Sequence, residues 1–528
     1  MLKPRCLIEI LALREKFRDE YIRTRDPIAD DRMLWRAQSF RHMIHLLPGQ
    51  TILEIGCGVG LLTRRLVQIS RGECPITAVT FIPNAERPAG LPHFVNFLGL
   101  TDLPDSLVGQ QFDVIVAQDL FDARVSSWLV EQIYDLLVPG GQVILFESNP
   151  WNVMMQLRRL VSKLFGQRDP RFLLNKIKLF EVLSTGGFTS VSTVYHDFIY
   201  SPVSRWLPWA LRNISIVLEN TPGIRTMAGA IVVHGQKLPR RSETNHFLLI
   251  APQHLRQQVS MIVPCRNEEM NVGPLVAQLT AFFDNHISEI ILVDDNSEDG
   301  TGAAIDRLAE ADHRIKPIHR RPPNGVGLAI SDGIRKATGQ YLLLMDCDFQ
   351  HLMPELRDLF DAITEGYDVA IGSRFSRHSV LLNYPFLKIV ANRLFHALAR
   401  LVLFARFRDL TNNLKLIRRD VVERLVLLEP GFAANAEIGM QPMVMGYQVK
   451  EVPISWIGRG SEMGASSFSL LKAGGGYCRV LCRIWLCRFF GIGAYSQLKT
   501  ILVYGDVKKR TRRRHKPTSI KTKPRMKS

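Results

Sequence analysis

The chain lacks any long uncharged stretch. Across its 528 residues, runs free of Asp, Glu, Lys and Arg reach only about 15 residues, as at Val182–His196 and Met270–Phe283. A bilayer crossing takes ~20 apolar residues, so no transmembrane helix is expected. The first residues, MLKPRCLIEILALREKFRDE, carry charge through their apolar part and offer no small-residue cleavage site, so no secretory signal is expected. Cysteine is sparse. The eight residues are scattered without the paired spacing of a zinc site or disulfide framework, which fits a reducing compartment. Cys57, Cys265 and Cys347 fall near strand ends. Cys478, Cys482 and Cys487 share one apolar, basic segment and read as buried helix thiols or as lipid attachment points. Acid is in deficit too: 50 Asp and Glu against 67 Lys and Arg give a formal charge of +17. Eleven of the basic residues, and no acid, lie in Lys508–Ser528, which leaves +6 on the other 507 residues. The basicity is therefore mostly that of a tail expected to be disordered, suited to anionic lipid, less so to nucleic acid, or to no partner at all.

What is present is ordinary globular material, 46% apolar and 22% charged, which excludes a disordered, collagenous or coiled-coil chain over most of the length. One pattern occurs twice: short β-branched runs end in Gly- or Asp-rich turns, and amphipathic helices follow. That pattern predicts two α/β domains with parallel sheets and ligands at the carboxyl ends of the strands. The expected boundaries are 1–235 for the first domain and 236–258 for a linker with a short strand at Phe247–Ile250. The second domain takes 259–470, an amphipathic membrane-proximal helical segment 471–507, and the tail 508–528. No internal sequence repeat relates the halves.

In the first half, the apolar strand Thr51–Ile55 runs into Gly56-Cys57-Gly58-Val59-Gly60, and Leu61, Leu62, Leu66 and Val67 recur at helical spacing. Glycines there allow a tight turn and close approach of a ligand to the backbone, with a helix N-terminus behind it. A further strand is expected at Phe112–Val116. Leu136–Phe146 reads as a helix end, a turn and another strand. Through LEIGCGVG, FDVIVAQDLF, LLVPGGQVILFESNPWN and GGFTSV, residues 30–235 resemble class I S-adenosylmethionine-dependent methyltransferases, with a Rossmann-like fold. The resemblance implies that Glu54, Gly56, Gly58 and Gly60 hold S-adenosylmethionine. Two departures stand out. Thr80 occupies the place of the acid that takes the ribose hydroxyls, and Gly99 that of the acid near the adenine, with Asp102 close by. Loss of a charged ribose contact is worth roughly 1–3 kcal/mol. Three outcomes stay open: weak binding, binding through substitutes such as Glu86 or Asp102, and a structural role. Methyl transfer needs positioning and removal of one proton at most. Asp119 and Glu147 are candidates for acceptor contact or plain strand-end acids.

The second half carries a sharper signal. Strand Glu289–Val293 ends in Asp294-Asp295-Asn296-Ser297-Glu298-Asp299-Gly300-Thr301, and strand Tyr341–Met345 ends in Asp346-Cys347-Asp348-Phe349-Gln350-His351. Two carboxylates spaced by two at the end of a buried strand call for a cation, since burying them uncompensated is costly. Mg²⁺ and Mn²⁺ prefer oxygen donors and commonly share them with substrate phosphates. Through IVPCRNEEMNV, ILVDDNSEDGT, GVGLAISDGIRKATGQYLLLMDCDFQH, VAIGSRF, DLTNNLKLIRRD and EVPISWIGRG, residues 258–470 resemble family 2 glycosyltransferases with the GT-A fold. Within these they are most similar to dolichol-phosphate (polyprenyl-phosphate) mannosyltransferases.

That resemblance implies that Pro264, Arg266, Glu268 and Asp295 line the nucleotide of a GDP- or UDP-hexose, with Asp346 also in contact. It implies that Asp346, Asp348 and Gln350 hold Mg²⁺ or Mn²⁺. Arg374, Lys415 and Arg459 would face the diphosphate or the acceptor phosphate. The family's Gly-x-Ser-Lys is Gly464-Ala465-Ser466-Ser467 here, without the lysine. A polyprenyl phosphate is already anionic at neutral pH and needs no general base, whereas a hydroxyl acceptor does; Glu437 is the one obvious candidate. Phe386–Phe404 and Leu470–Phe490 mix large apolar residues with Lys388, Arg393, Arg400, Arg479, Arg483 and Arg488. Such helices suit a bilayer surface or a protein core. The reading is thus an inverting, metal-dependent hexosyltransferase, peripheral at the cytoplasmic face of a membrane, fused to a methyltransferase-like domain. Its rivals are transfer to a sugar or small-molecule hydroxyl, a non-catalytic N-terminal module, and a nucleic-acid methyltransferase, which the absence of basic–aromatic clustering disfavours.

Overall fold

The computed structural model describes residues 4–82, 85–100, 107, 109–164, 172–199, 208–238, 249–347, 353–376, 379–382, 384–457 and 470–496. It contains the two α/β domains expected.

The first sheet comprises β1 (Ile52–Ile55), β2 (Ile76–Thr80), β3 (Asn96–Gly99), β4 (Phe112–Gln118), β5 (Leu137–Ser148), β6 (Thr189–His196) and β7 (Ala230–Gln236), in the order β3-β2-β1-β4-β5-β7-β6. Strands β1 to β5 are parallel, and β7 runs antiparallel between β5 and β6. The central strands β1 and β2 are buried on both faces, which is why they read as mainly apolar runs, broken by Glu54, Thr77 and Thr80, rather than as alternating ones. The turn expected near Pro139 takes the form of an outgrowth within β5. Leu137 pairs with Phe112 and Gln142 with Val114, so residues 138–141 stand out of the ladder.

The second sheet comprises β8 (Val259–Cys265), β9 (Ile287–Asp294), β10 (Ile315–His319), β11 (Tyr341–Leu344) and β12 (Val369–Ser373). A separate strand β13 (Val380–Leu382) precedes β14 (Lys415–Arg418) and β15 (Val449–Pro453), and β16 (Ser455–Ile457) pairs with β13. The order is β10-β9-β8-β11-β14-β12-β15, with β14 antiparallel to both its neighbours. In each sheet the chain leaves its first strand to one side and returns on the other, between β1 and β4 and between β8 and β11. The crevice at such a switch point is where open α/β sheets bind ligands.

The segment read as a linker divides. Residues 239–248 lie outside the described residues. From Leu249 the chain packs on the second domain: the Leu249 N–H donates to Phe282 O at 2.9 Å, and Leu255 is fully buried. The short strand expected there does not form at Leu249–Ile250, and Ile250 is left exposed.

The domains grip each other directly. Arg41 donates two hydrogen bonds to the Asp358 carboxylate at 2.7 and 2.9 Å, and Arg71 adds a third at 2.7 Å. Arg357 returns two to Glu73 at 2.5 and 2.6 Å. Asp358 and Arg357 lie on the helix Met353–Thr364. Elsewhere Asn220 exchanges hydrogen bonds with Leu381 O (3.2 Å) and Tyr384 N (2.8 Å), and Val380 packs into the first domain's core.

Candidate functional site

The crevice between β8 and β11 is built by two laced loops. Asn267 takes a left-handed φ of 56° after β8, its N–H donates to Ser297 Oγ at 3.0 Å, and its Oδ1 accepts from Glu298 N at 2.9 Å. Asn tolerates that backbone conformation better than most residues. Beside it the Glu268 N–H donates to Thr301 Oγ1 (2.8 Å), and Glu268 Oε2 accepts from Asn271 Nδ2 (2.5 Å). Pro264 pairs in register with Val293 at the sheet's carboxyl edge, and Arg266 is exposed just beyond it. Asp295 is buried, with Oδ1 ion-paired to Arg320 and Oδ2 accepting from Gly325 N at 2.7 Å. It braces the 320–325 loop beneath the crevice.

Asp346 follows β11 and accepts from Asn413 Nδ2 at 2.8 Å. Asp348 and Gln350, expected to complete a metal shell, and Arg459 lie outside the described residues. Among the described residues no group of three His, Cys, Asp or Glu side chains is placed to hold a metal ion. Asp346 nevertheless presents a carboxylate where the parallel strands end. With the oxygen donors of Asp348 and Gln350 close in sequence, these residue types would suit a hard divalent cation.

The insertion of β14 between β11 and β12 decides the rest. Its first residue, Lys415, is matched with Leu344 on one side and Ile371 on the other, at the mouth of the sheet. Lys415 is fully buried and donates to Asn412 O; burial lowers its ammonium to about 7, against the pull of Asp409 and Asp346. Arg374, after β12, is held by Asp409 through Nε–Oδ2 (2.7 Å) and Nη2–Oδ1 (3.0 Å). It also reaches Thr411 Oγ1 (3.1 Å) and Tyr384 OH (3.2 Å). Burial opposes both charges, but their mutual attraction wins: Asp409 stays well below the usual carboxylate range and Arg374 well above its own. Asp409, Asn413 and Arg320 are thus site-building residues that motif reading passed over, although Asp409 and Asn413 stand inside the quoted DLTNNLKLIRRD. Glu437, the candidate base, is corrected. It is fully buried, and its oxygens accept from Leu428 N, Glu429 N (3.0 Å each) and Tyr495 OH. It is a strut for its own loop.

The first domain's crevice is different. Glu54 is fully buried on β1 with neither oxygen hydrogen-bonded, and burial pushes it up to about 7. Gly56, Gly58 and Gly60 have left-handed φ values, yet Gly56 O and Gly58 N face the helix Pro4–Arg25 rather than open space. Glu15 Oε1 accepts from Gly58 N (2.7 Å), and Arg18 Nη1 donates to Gly56 O (2.7 Å). Asp119 accepts from Ser148 Oγ (2.5 Å) and pairs with Arg36 (3.5 Å). Glu147 accepts from Leu120 N (3.0 Å), Phe121 N (3.1 Å) and Arg14 (3.4 Å). Neither acid is a solvated strand end. Asp102 lies outside the described residues.

Known proteins resemble both halves of the chain. The sequence profile of Glycosyl transferase family 2 matches residues 260–426. The chain is 32% identical over 224 residues to the polyprenol monophosphomannose synthase of Mycolicibacterium smegmatis, covering 40% of this chain and 82% of that protein. It is 30% identical over 204 residues to the dolichol-phosphate mannosyltransferase of Pyrococcus furiosus, covering 38% of this chain and 56% of that one. Among solved structures, glucosyl-3-phosphoglycerate synthase of Mycobacterium tuberculosis with Mn²⁺ and UDP-glucose aligns over 44% of this chain and 79% of its own, at 15% identity and a TM-score of 0.33. A SAM-dependent methyltransferase of Thermotoga maritima aligns over 44% of this chain and 99% of its own, at 18% identity and a TM-score of 0.29. From the matched profile and the first of these relatives, the chain belongs to glycosyl transferase family 2.

Proposed function

We propose that the second domain moves a hexosyl group from a GDP- or UDP-sugar to a polyprenyl phosphate, with inversion at the anomeric carbon. The observation that carries this is the convergence of Asp346, Lys415 and the Arg374–Asp409 pair on one sheet mouth. Among the described acids there, Asp295 and Asp409 have both oxygens engaged by the chain's own donors, and Glu437 is a strut. A phosphate acceptor, already ionised, asks for cations rather than a base. Similarity to two enzymes named for polyprenol and dolichol phosphate supports the same acceptor. Asp346, Asp348 and Gln350 would hold Mg²⁺ or Mn²⁺, which when bound neutralises the departing diphosphate. Pro264, Arg266 and Glu268 would flank the nucleotide. Arg459 would add a phosphate contact from beyond β16.

A lipid acceptor needs access from a bilayer, and no helix among the described residues is long and apolar enough to cross one. The helix Phe386–Leu403 instead exposes Leu387, Leu394, Leu398 and Leu401, and Phe404 behind it is 79% exposed. Phe404 meets Phe489 of the helix Leu470–Phe490 at 6.0 Å between ring centroids, and Trp485 and Phe490 continue the patch. Two joined apolar faces with basic residues suit a monotopic seat on the cytoplasmic side of a membrane. The test is a screen of nucleotide-hexoses against polyprenyl phosphate and free sugars, with Mg²⁺ or Mn²⁺. Expected is transfer to the lipid phosphate, lost on chelation and in Asp346→Asn. Transfer only to hydroxyl acceptors, or a rate indifferent to chelation and to Asp346→Asn, overturns the reading.

A further inference from the structure

The strand–glycine turn–helix of the first domain invites S-adenosylmethionine, but the residues present do not fit it. The space over the turn is already filled. The helix Pro4–Arg25 lies across the carboxyl ends of β1, β2 and β4. Glu15 bridges Gly58 N (2.7 Å) and Phe81 N (2.8 Å), and Arg18 bridges Gly56 O (2.7 Å) and Gln118 O (2.9 Å). Asp19 backs Arg18 at 2.9 Å. The backbone donors and acceptors that a cofactor's amino-acid end and ribose would use are therefore satisfied by the chain itself. The fit leaves no gap: a Cβ on Gly58 would stand 2.2 Å from Asp19 Oδ2 and 2.5 Å from Arg18 Nη2.

The filling is anchored. Leu7, Ile8 and Leu11 of the same helix belong to the core that contains Leu53, Ile55 and Val79. Arg14 ties the next turn to Phe121 O at 2.9 Å. Glu15, Arg14, Arg18 and Asp19 are all buried. A lid that opens for each turnover is drawn from weakly packed segments; this helix is part of the hydrophobic core. Thr80, standing where a ribose-binding acid is expected, is buried as well.

We infer that the switch-point crevice of the first domain is permanently sealed by Glu15, Arg18 and Asp19, so that the domain takes no S-adenosylmethionine and serves as a structural partner of the glycosyltransferase. The surface it offers that partner is Arg41, Arg71 and Glu73. These hold Asp358 and Arg357 on the helix that follows the Asp346–Asp348 loop in sequence.

The experiment uses the full chain. Equilibrium dialysis with radiolabelled S-adenosylmethionine up to about 1 mM, a weak-binding limit of roughly −4 kcal/mol, is expected to give no saturable uptake. Hydrogen exchange is expected to show slow peptides over residues 52–60 and 79–82, unchanged by the cofactor. In Glu15→Ala those peptides are expected to exchange at least tenfold faster, while uptake stays absent because Arg18 and Asp19 still cover the turn. Saturable binding to the unaltered chain, or cofactor-induced release of protection over residues 4–25, overturns the inference. So does recovery of tight binding in Glu15→Ala, which would mark the helix as a removable lid. Should the variant fail to fold, dialysis of the unaltered chain still decides.

Discussion

Replacing Asp409 by Asn removes one charge from the most tightly bonded pair in the candidate site. The carboxylate accepts from Arg374 Nε, Nη2 and backbone N, and from the Thr411 N–H and hydroxyl, at 2.7–3.2 Å. An amide keeps one acceptor oxygen and turns an N–H₂ toward donors it cannot satisfy. It also strands the Arg374 guanidinium, whose side chain is only 13% exposed, so solvent screens little of the loss. Breaking a buried pair from one side costs about 3–5 kcal/mol. For a domain of this size, at roughly 2–4 °C per kcal/mol, that is a fall of about 6–20 °C in the transition of the second domain. Asp409 sits well below the usual carboxylate range. Its contribution is therefore complete above the unfolded value and is lost only in strong acid. Scanning calorimetry measures it, alongside turnover. The Arg374→Met/Asp409→Leu double variant separates structure from chemistry: replacing both charges is expected to recover most of the stability but none of the turnover. An Asp409→Asn transition within about 2 °C of the parent, or a double variant with normal turnover, refutes the reasoning.

Glu54 offers a pH test. Its folded value, pushed up to about 7 from an ordinary 4.5, means the folded state binds the extra proton. Stability is then full below the unfolded value and falls by roughly 3 kcal/mol as pH rises through 7. Glu54→Gln is expected to flatten that slope in melting curves, and equal slopes count against it. Arg41→Ala/Arg71→Ala is expected to move the calorimetric transitions of the two domains apart by weakening their coupling; unmoved transitions place their cohesion elsewhere. Leu394→Glu/Leu401→Glu/Phe404→Glu is expected to cut sedimentation with anionic vesicles at least tenfold while leaving transfer to a short-chain soluble phosphate acceptor intact. Undiminished sedimentation removes those faces from the membrane contact.

Sequence alone carried the parts whose signals are local. Mostly apolar runs such as Ile52–Ile55 and Tyr341–Leu344, each closed by a turn of Gly or Asp, marked both sheets and the strand ends where ligands bind, because a fully buried parallel strand is mainly apolar and its ligand loop is not. The same locality singled out Asp346, Arg374 and Lys415, which the structure sets at the ends of β11, β12 and β14. Partners far apart in the chain were out of reach. That β14 runs antiparallel between β11 and β12, and so sets Lys415 beside Leu344, depends on pairing across some seventy residues. That Asp295 is spent on Arg320 and Gly325, and Glu437 on Tyr495, depends on which donors packing brings within hydrogen-bond range. Most of all, LEIGCGVG reads the same whether the crevice above it is open or filled. Only the docking of the Pro4–Arg25 helix, driven by burial of Leu7, Ile8 and Leu11, brought Glu15 and Arg18 onto that turn. A motif records what backbone a segment can form, while occupancy of the space around it is set by the side chains that the rest of the fold delivers there.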